Sequence, residues 1–495
     1  MAGDRASPAP PSHLCNDERD TGVGSRSTGT GSSDGESGVI HAPEREEPRS
    51  LQTRIAHDRS PPMGFVSGSQ GLVTVLAVVL ISAGCSPARG GAAGDVQPLR
   101  DREVEVAAVW TGQEQADIER ALVRFEQETG AIIRYTAIGH DIAGALERRR
   151  QQETLPDVVI VPGPMLLPDL AERGVIRPLG DSVQQLVDEN FAPAWRDLGS
   201  VDGRLFGVWV RAVNKSTLLY DPSVLREAGV QPPTTWRELL RCARSIAASG
   251  NTPLSFAGGD GWPLTDWFEN VYLRLAGSEK YDQLARRRLA WTDQSVKQAL
   301  SLLSHLWNDR ALIAKGSPTR HLRESIAAVI SDQGATAIAY DGGFVSGGNP
   351  AVPPVPEGTD GAVLQFPSVA ASPKVVVGTG DVAVRLADEP AASALMEFLA
   401  GPKAGDVLVE GGGFVSPNNK VNLDLYPDEM TRQSARWLVE ADTFRFDLSD
   451  LQPPAFGGTP NQGMWKIFQD FLADPSDIDG TALALEVAAA RAFDR

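Results

Sequence analysis

Polar and apolar positions along residues 103–162 fall into two periods. Glu103-Val-Glu-Val-Ala-Ala-Val-Trp110 is a strand-like run that ends in an aromatic. From about Asp117 to Thr129, Ile118, Leu122 and Phe125 share one helical stripe, and Gly130 is placed to stop the helix. Ile132-Ile-Arg-Tyr135 reads as a second strand and residues 141–153 as an Arg-rich helix. Leu155-Pro-Asp-Val-Val-Ile-Val-Pro162 is a continuous apolar run, the mark of a fully buried strand. Strands alternating with helices predict a parallel sheet with right-handed crossovers. In such sheets ligands gather beyond the carboxyl ends of the strands. The segments from Trp110 to Glu114 and from Pro162 to Pro164 lie at those ends.

The pattern differs ahead of this region. Residues 1–62 are Ser, Gly, Pro and charge, and cannot bury enough surface to offset chain entropy, so disorder is predicted there. Either Met1 or Met63 could be the start. Gly71 to Gly84 is an apolar run shorter than the roughly 20 residues a membrane span needs, and it matches a signal-peptide core. It ends Ser82-Ala83-Gly84-Cys85, which resembles a bacterial lipobox, whose Cys is lipidated after cleavage. Ser82 departs from the Leu of that pattern, and an ordinary signal peptide or a single anchor helix is the other reading. Residues 86–100 read as a flexible tether.

Composition narrows the function. With 46 basic and 64 acidic residues the net charge is −18, which argues against a nucleic-acid partner. Three widely spaced cysteines, Cys15, Cys85 and Cys242, form neither a disulfide framework nor a zinc site. Metalloprotease, serine-hydrolase, Walker and dinucleotide motifs are missing from the sequence, so no cofactor, metal or catalytic residue is expected.

Asn214-Lys-Ser-Thr-Leu-Leu-Tyr220 followed by Pro232-Pro-Thr-Thr-Trp-Arg-Glu-Leu239 resembles the extracellular solute-binding proteins of ABC sugar importers. Asp157-Val-Val-Ile-Val-Pro162, Gly334 to Phe344, and Ala391 to Pro402 with Gly411 to Pro417 agree in order. The resemblance spans about 103–475. It implies an α/β fold of the type II periplasmic-binding-protein kind, with a ligand cleft between two lobes joined by hinge segments. Lobe 1 would take 101–214 and 376–430; lobe 2 would take 215–375 and 431–495, with Gly347 to Gly361 as a surface loop. Hinges are expected near Val213 to Thr217, near Val375 to Gly378 and after Asp428. The PPTTW segment itself reads as a helix start, with Thr234 or Thr235 as cap and Trp236 and Leu239 packed.

A sugar offers an apolar C–H face for an aromatic ring and a hydroxyl rim for carboxylates, amides and Arg. Candidate ligand residues are therefore Trp110, Gln113, Glu114, Trp209, Arg211, Trp262, Asp266, Trp267, Asp341, Phe344, Gly380, Asp381 and Trp465. Of Trp262 and Trp267, one is expected to face the cleft and the other to pack. Gln113 and Glu114 fit equally well as a solvated first helical turn. Trp195, Trp291, Trp307 and Trp437 read as helix packing. The expectation is a monomeric lipoprotein, anchored outside the cytoplasm through Cys85, that binds an oligosaccharide or α-glucoside-like sugar and delivers it to the permease subunits of an ABC importer. A same-fold receptor reporting to a membrane sensor is the alternative. A glycosidase, needing two carboxylates about 5 to 10 Å apart, ranks below both.

Overall fold

The computed structural model describes residues 99–330, 336–345, 361–370 and 374–494, all within the compact unit Gly90–Arg495. The expected leader, Cys85, the start of the tether and most of the loop from Gly347 to Gly361 lie outside the described residues.

Twelve strands are described. They are β1 (Glu103–Ala108), β2 (Ile132–Ala137), β3 (Val158–Pro162), the short pair β4 (Ser200–Val201) and β5 (Arg204–Leu205), β6 (Gly207–Asn214), β7 (Thr217–Tyr220), β8 (Thr252–Ser255), β9 (Thr336–Tyr340), β10 (Ala362–Gln365), β11 (Val375–Arg385) and β12 (Thr443–Phe446). The first sheet runs β12-β11-β3-β1-β2, with β6 also on β11. β1 pairs in parallel with β2 and β3, as the helix-strand alternation predicts. β11 is antiparallel to β3 and β6, so the sheet is mixed. The second sheet runs β10-β7-β9-β8.

Each sheet carries its own apolar core. Val158 to Val161 of β3 are buried on both faces, which is why that run shows no alternation. The first core gathers Phe125, Trp195, Val382 and Leu395, and the second gathers Trp267, Trp291, Trp307 and Phe468. Phe444 and Phe446 belong to the first core, whereas Leu448 belongs to the second. The last change of lobe therefore falls at Asp447, later than the boundary at 430 that the sequence suggested, because β12 pairs with β11.

The chain passes between cores at three places: Asn214 to Ser216, Val375 to Gly378 and Phe446 to Leu448. Local chemistry fixes the approach to the second lobe. Thr235 caps the helix Trp236–Ala248, and Glu238 closes a capping box by accepting from the Thr235 amide. Trp236 and Leu239 are buried, as that reading requires.

Candidate functional site

The expected residues fall into three groups. The first lines the first lobe at the ends of β1 and β6. Glu114 stands in the first turn of the helix Gly112–Thr129, which begins earlier than the apolar stripe implied. Arg211 donates to Glu114 at 2.7 Å and lies 3.8 Å from Asp381. Its guanidinium also sits 5.2 Å from the Phe414 ring, which meets Trp110 edge to face at 5.2 Å. Trp110, expected to stack on ligand, is instead buried in the first core, because its side chain packs under Phe414. The Trp110 carbonyl accepts from the Tyr135 hydroxyl at 2.8 Å. Burial pushes the Asp381 carboxyl up to about 6, against the pull of Arg211 and with Glu114 adding to the rise. Gln113 is exposed, and its amide donates to Asp117 at 2.7 Å, so it serves its own helix.

The second group lines the second lobe. Trp262 and Phe344 are half-buried, with ring centroids 5.2 Å apart. Asp341 is buried and builds the turn that presents Phe344: its carboxylate accepts from the Thr217 hydroxyl (2.8 Å) and the Val345 amide (2.8 Å). Trp465 is half-buried, and its backbone packs on the turn at Gly261, beside Trp262.

The third group is taken up by packing. Trp267 is buried between Phe256 and Phe366, which leaves Trp262 as the member of that pair nearer solvent. Trp209 is buried against Trp195 and Phe446. The cause is a β-bulge. Arg211 pairs with Asp381 while Trp209 pairs with Val382, so one extra residue breaks the alternation that would carry both side chains to one face. Gly380 is explained by close strand approach, since a Cβ there would lie 2.4 Å from the Arg211 carbonyl oxygen. Asp266 is buried and points into a polar hub.

That hub was not legible as a set. The helix Trp262–Ala285 carries Asp266, Glu269, Asn270 and Arg274 on successive turns of one side, and together they grip all three lobe crossings. At the first crossing, Asn270 donates to the Lys215 carbonyl at 2.9 Å and accepts from the Ser216 hydroxyl at 2.5 Å. At the second, Arg274 donates to the Val375 carbonyl at 2.8 Å, and the Val377 amide donates to the Ser216 hydroxyl at 2.9 Å. At the third, Glu269 accepts from the amides of Leu448 (2.7 Å) and Ser449 (3.1 Å). Lys215 sits at the centre, hydrogen-bonded to Asp447, 3.6 Å from Asp266 and 3.9 Å from Asp450.

Burial opposes charge on Lys215, yet Asp266, Asp447 and Asp450 raise it well above its ordinary value. Burial alone would raise Asp447, but Lys215 holds it down at about 2. Burial and the nearby Asp447 charge push the Asp266 and Glu269 carboxyls well above their ordinary values, against the pull of Lys215.

The hub also joins the two cleft groups. Lys215 lies 5.3 Å from the Trp262 ring centroid. Asp450 accepts from Thr379, two residues before Asp381, at 3.0 Å. The hub thus lies beside both groups, touching Trp262 through Lys215 and β11 through Asp450. Lys215 and Phe414 are the functional neighbours that the sequence reading missed. Each lay inside a motif already singled out, the Asn214 segment and the Gly411 to Pro417 turn.

Comparison with known proteins agrees with this architecture. The family model described as bacterial extracellular solute-binding protein matches residues 107–406. The osmoprotective compounds-binding protein GgtB of Synechocystis sp. is 31% identical over 375 residues, covering 73% of this chain and 88% of that protein. The alpha-glucosides-binding periplasmic protein AglE of Rhizobium meliloti is 29% identical over 401 residues, covering 78% and 86%. Among solved structures, the bacterial solute receptor AcbH superposes with a TM-score of 0.69 at 18% identity, covering 79% of this chain and all of that one.

Proposed function

The chain belongs to the bacterial extracellular solute-binding proteins, and from that premise we propose that it captures a neutral glycoside of the α-glucoside class and hands it to the permease of an ABC importer. One observation supports this reading above others: Arg211 is clamped between Glu114 and Asp381 in one lobe, and the Trp262–Phe344 aromatic pair lies across the hinge in the other. The acids and the guanidinium suit a hydroxyl rim, which accepts and donates at once. The aromatic pair suits the C–H face of a pyranose. A net-anionic pocket lining disfavours a phosphate ester. AglE binds alpha-glucosides by name, and GgtB binds osmoprotective compounds. The proposed contact residues are Glu114, Arg211, Trp262, Phe344, Asp381 and Trp465, with no bond made or broken.

Titration calorimetry with maltose, trehalose and sucrose, against galactose and glycerol 3-phosphate, tests the ligand class. Saturable binding of one of the three α-glucosides, at least about tenfold tighter than galactose, is expected. Binding of glycerol 3-phosphate alone would refute it. In this reading Cys85 carries a lipid that holds the receptor at the outer membrane surface of the importing cell. Among the described residues no helix is long and apolar enough to cross a membrane. Cys85→Ala should then release the protein from the membrane fraction; retention would point to an uncleaved anchor.

A further inference from the structure

Arg274 presents a charge that the hub leaves unanswered. Its guanidinium donates only to neutral acceptors, the Asn270 carbonyl (3.2 Å), the Asn270 side-chain oxygen (2.8 Å) and the Val375 carbonyl (2.8 Å). It stacks over the Phe366 ring at 5.1 Å. Among the described residues it pairs with no carboxylate, although it is only 5% exposed. A buried cation without a counter-charge is costly. Burial accordingly lowers its pKa to about 9.

The same side chain lines a cavity of about 460 Å³, within the ordinary range for small-molecule sites. Tyr220, Phe366 and Trp437 form aromatic walls, and Gln365 and Lys374 supply polar groups. Lys374 is already paired with Glu440 at 2.8 Å. The cavity shares no lining residue with the cleft set. Trp437 stands on the helix Glu429–Val439, which packs on both cores through Ala435 and Leu438 on the first and Met430 on the second, while Tyr220 and Phe366 pack with the second.

We propose that this cavity is a second ligand site, which takes a small monocarboxylate with a flat apolar body and seats its carboxylate on Arg274. A guanidinium fork matches a carboxylate in two parallel hydrogen bonds. One uncompensated cation calls for one negative charge, because Lys374 is already engaged. The aromatic and prolyl walls call for an apolar ring.

The probe is benzoate, titrated calorimetrically into the detergent-solubilised full chain, with benzamide as the neutral molecule of the same shape. Saturable benzoate binding is expected, with benzamide not bound and affinity at least about tenfold weaker in Trp437→Ala and Arg274→Gln. Arg274→Gln also cuts the tie to Val375. Trp437→Ala, at a half-buried wall position, carries the test without touching that tie. Three results would overturn the proposal: no saturable binding up to about 10 mM benzoate, equal binding of benzamide, or unchanged benzoate affinity in Trp437→Ala.

Discussion

Asp381 is the contact residue whose charge responds to pH near 6. Its folded value of about 6 lies above the ordinary 3.8 because the carboxyl is buried. Between those values the folded chain holds a proton that the unfolded chain has released. Its contribution to stability is therefore full below the ordinary value and is lost as pH rises toward 6. The same titration acts on the ligand with the opposite sign. An ionised carboxylate accepts a sugar hydroxyl better than a neutral acid does, so affinity should climb as pH passes up through about 6. Calorimetric affinity measured across that range, in wild type and in Asp381→Asn, checks this; the variant should bind about tenfold or more weakly and show a flat profile. A wild-type profile that is already flat would remove Asp381 from the contact set.

At the scale of the element, the part of the helix Trp262–Ala285 that precedes its kink at Gly277 ties three chain crossings together through buried polar and charged side chains. Lys215→Met would leave Asp447 buried without its cation, and breaking such a pair costs about 3 to 5 kcal/mol. Urea unfolding should show that loss, and Lys215→Met combined with Asp447→Asn should recover part of it. Raised folded values at Asp266 and Glu269 add a pH term: stability from these two falls as pH rises above the ordinary carboxylate range. Asp447 works in reverse, losing its contribution as pH falls toward 2. Glu269→Gln should flatten the fall on the alkaline side. The elements that build the lobes were legible from periodicity, because β1 and β3 bury their apolar runs, whereas β2 leaves Ile132 exposed at the sheet edge. The hub was not, since its members are polar, distant in sequence and meet only after both sheets form. Trp209 was misread for a related reason: period-two reasoning cannot see a bulge that depends on the register of β11.

At the scale of the whole molecule, two separate cores joined by three short crossings make a hinge. A bound sugar that touches both lobes should draw them together, and the radius of gyration measured by X-ray scattering should fall when sugar is added. Gly343 offers a way to jam the hinge. It adopts φ 77°, and a Cβ there would sit 2.8 Å from the Val213 side chain and 2.9 Å from the Asn214 carbonyl oxygen, at the first crossing. Gly343→Val should weaken sugar binding and abolish the scattering change while the far cores stay folded by circular dichroism. The sheet of the first lobe has one more consequence, for the order in which the chain can fold. β3 and β6 are both hydrogen-bonded to β11, whose residues leave the ribosome only after the whole second sheet has been made. Until Arg385 emerges, the first lobe has no central strand to close on. Such long-range pairing makes folding slow, and a growing chain passes through a stage at which the second sheet can close while the first lobe still waits for its central strand.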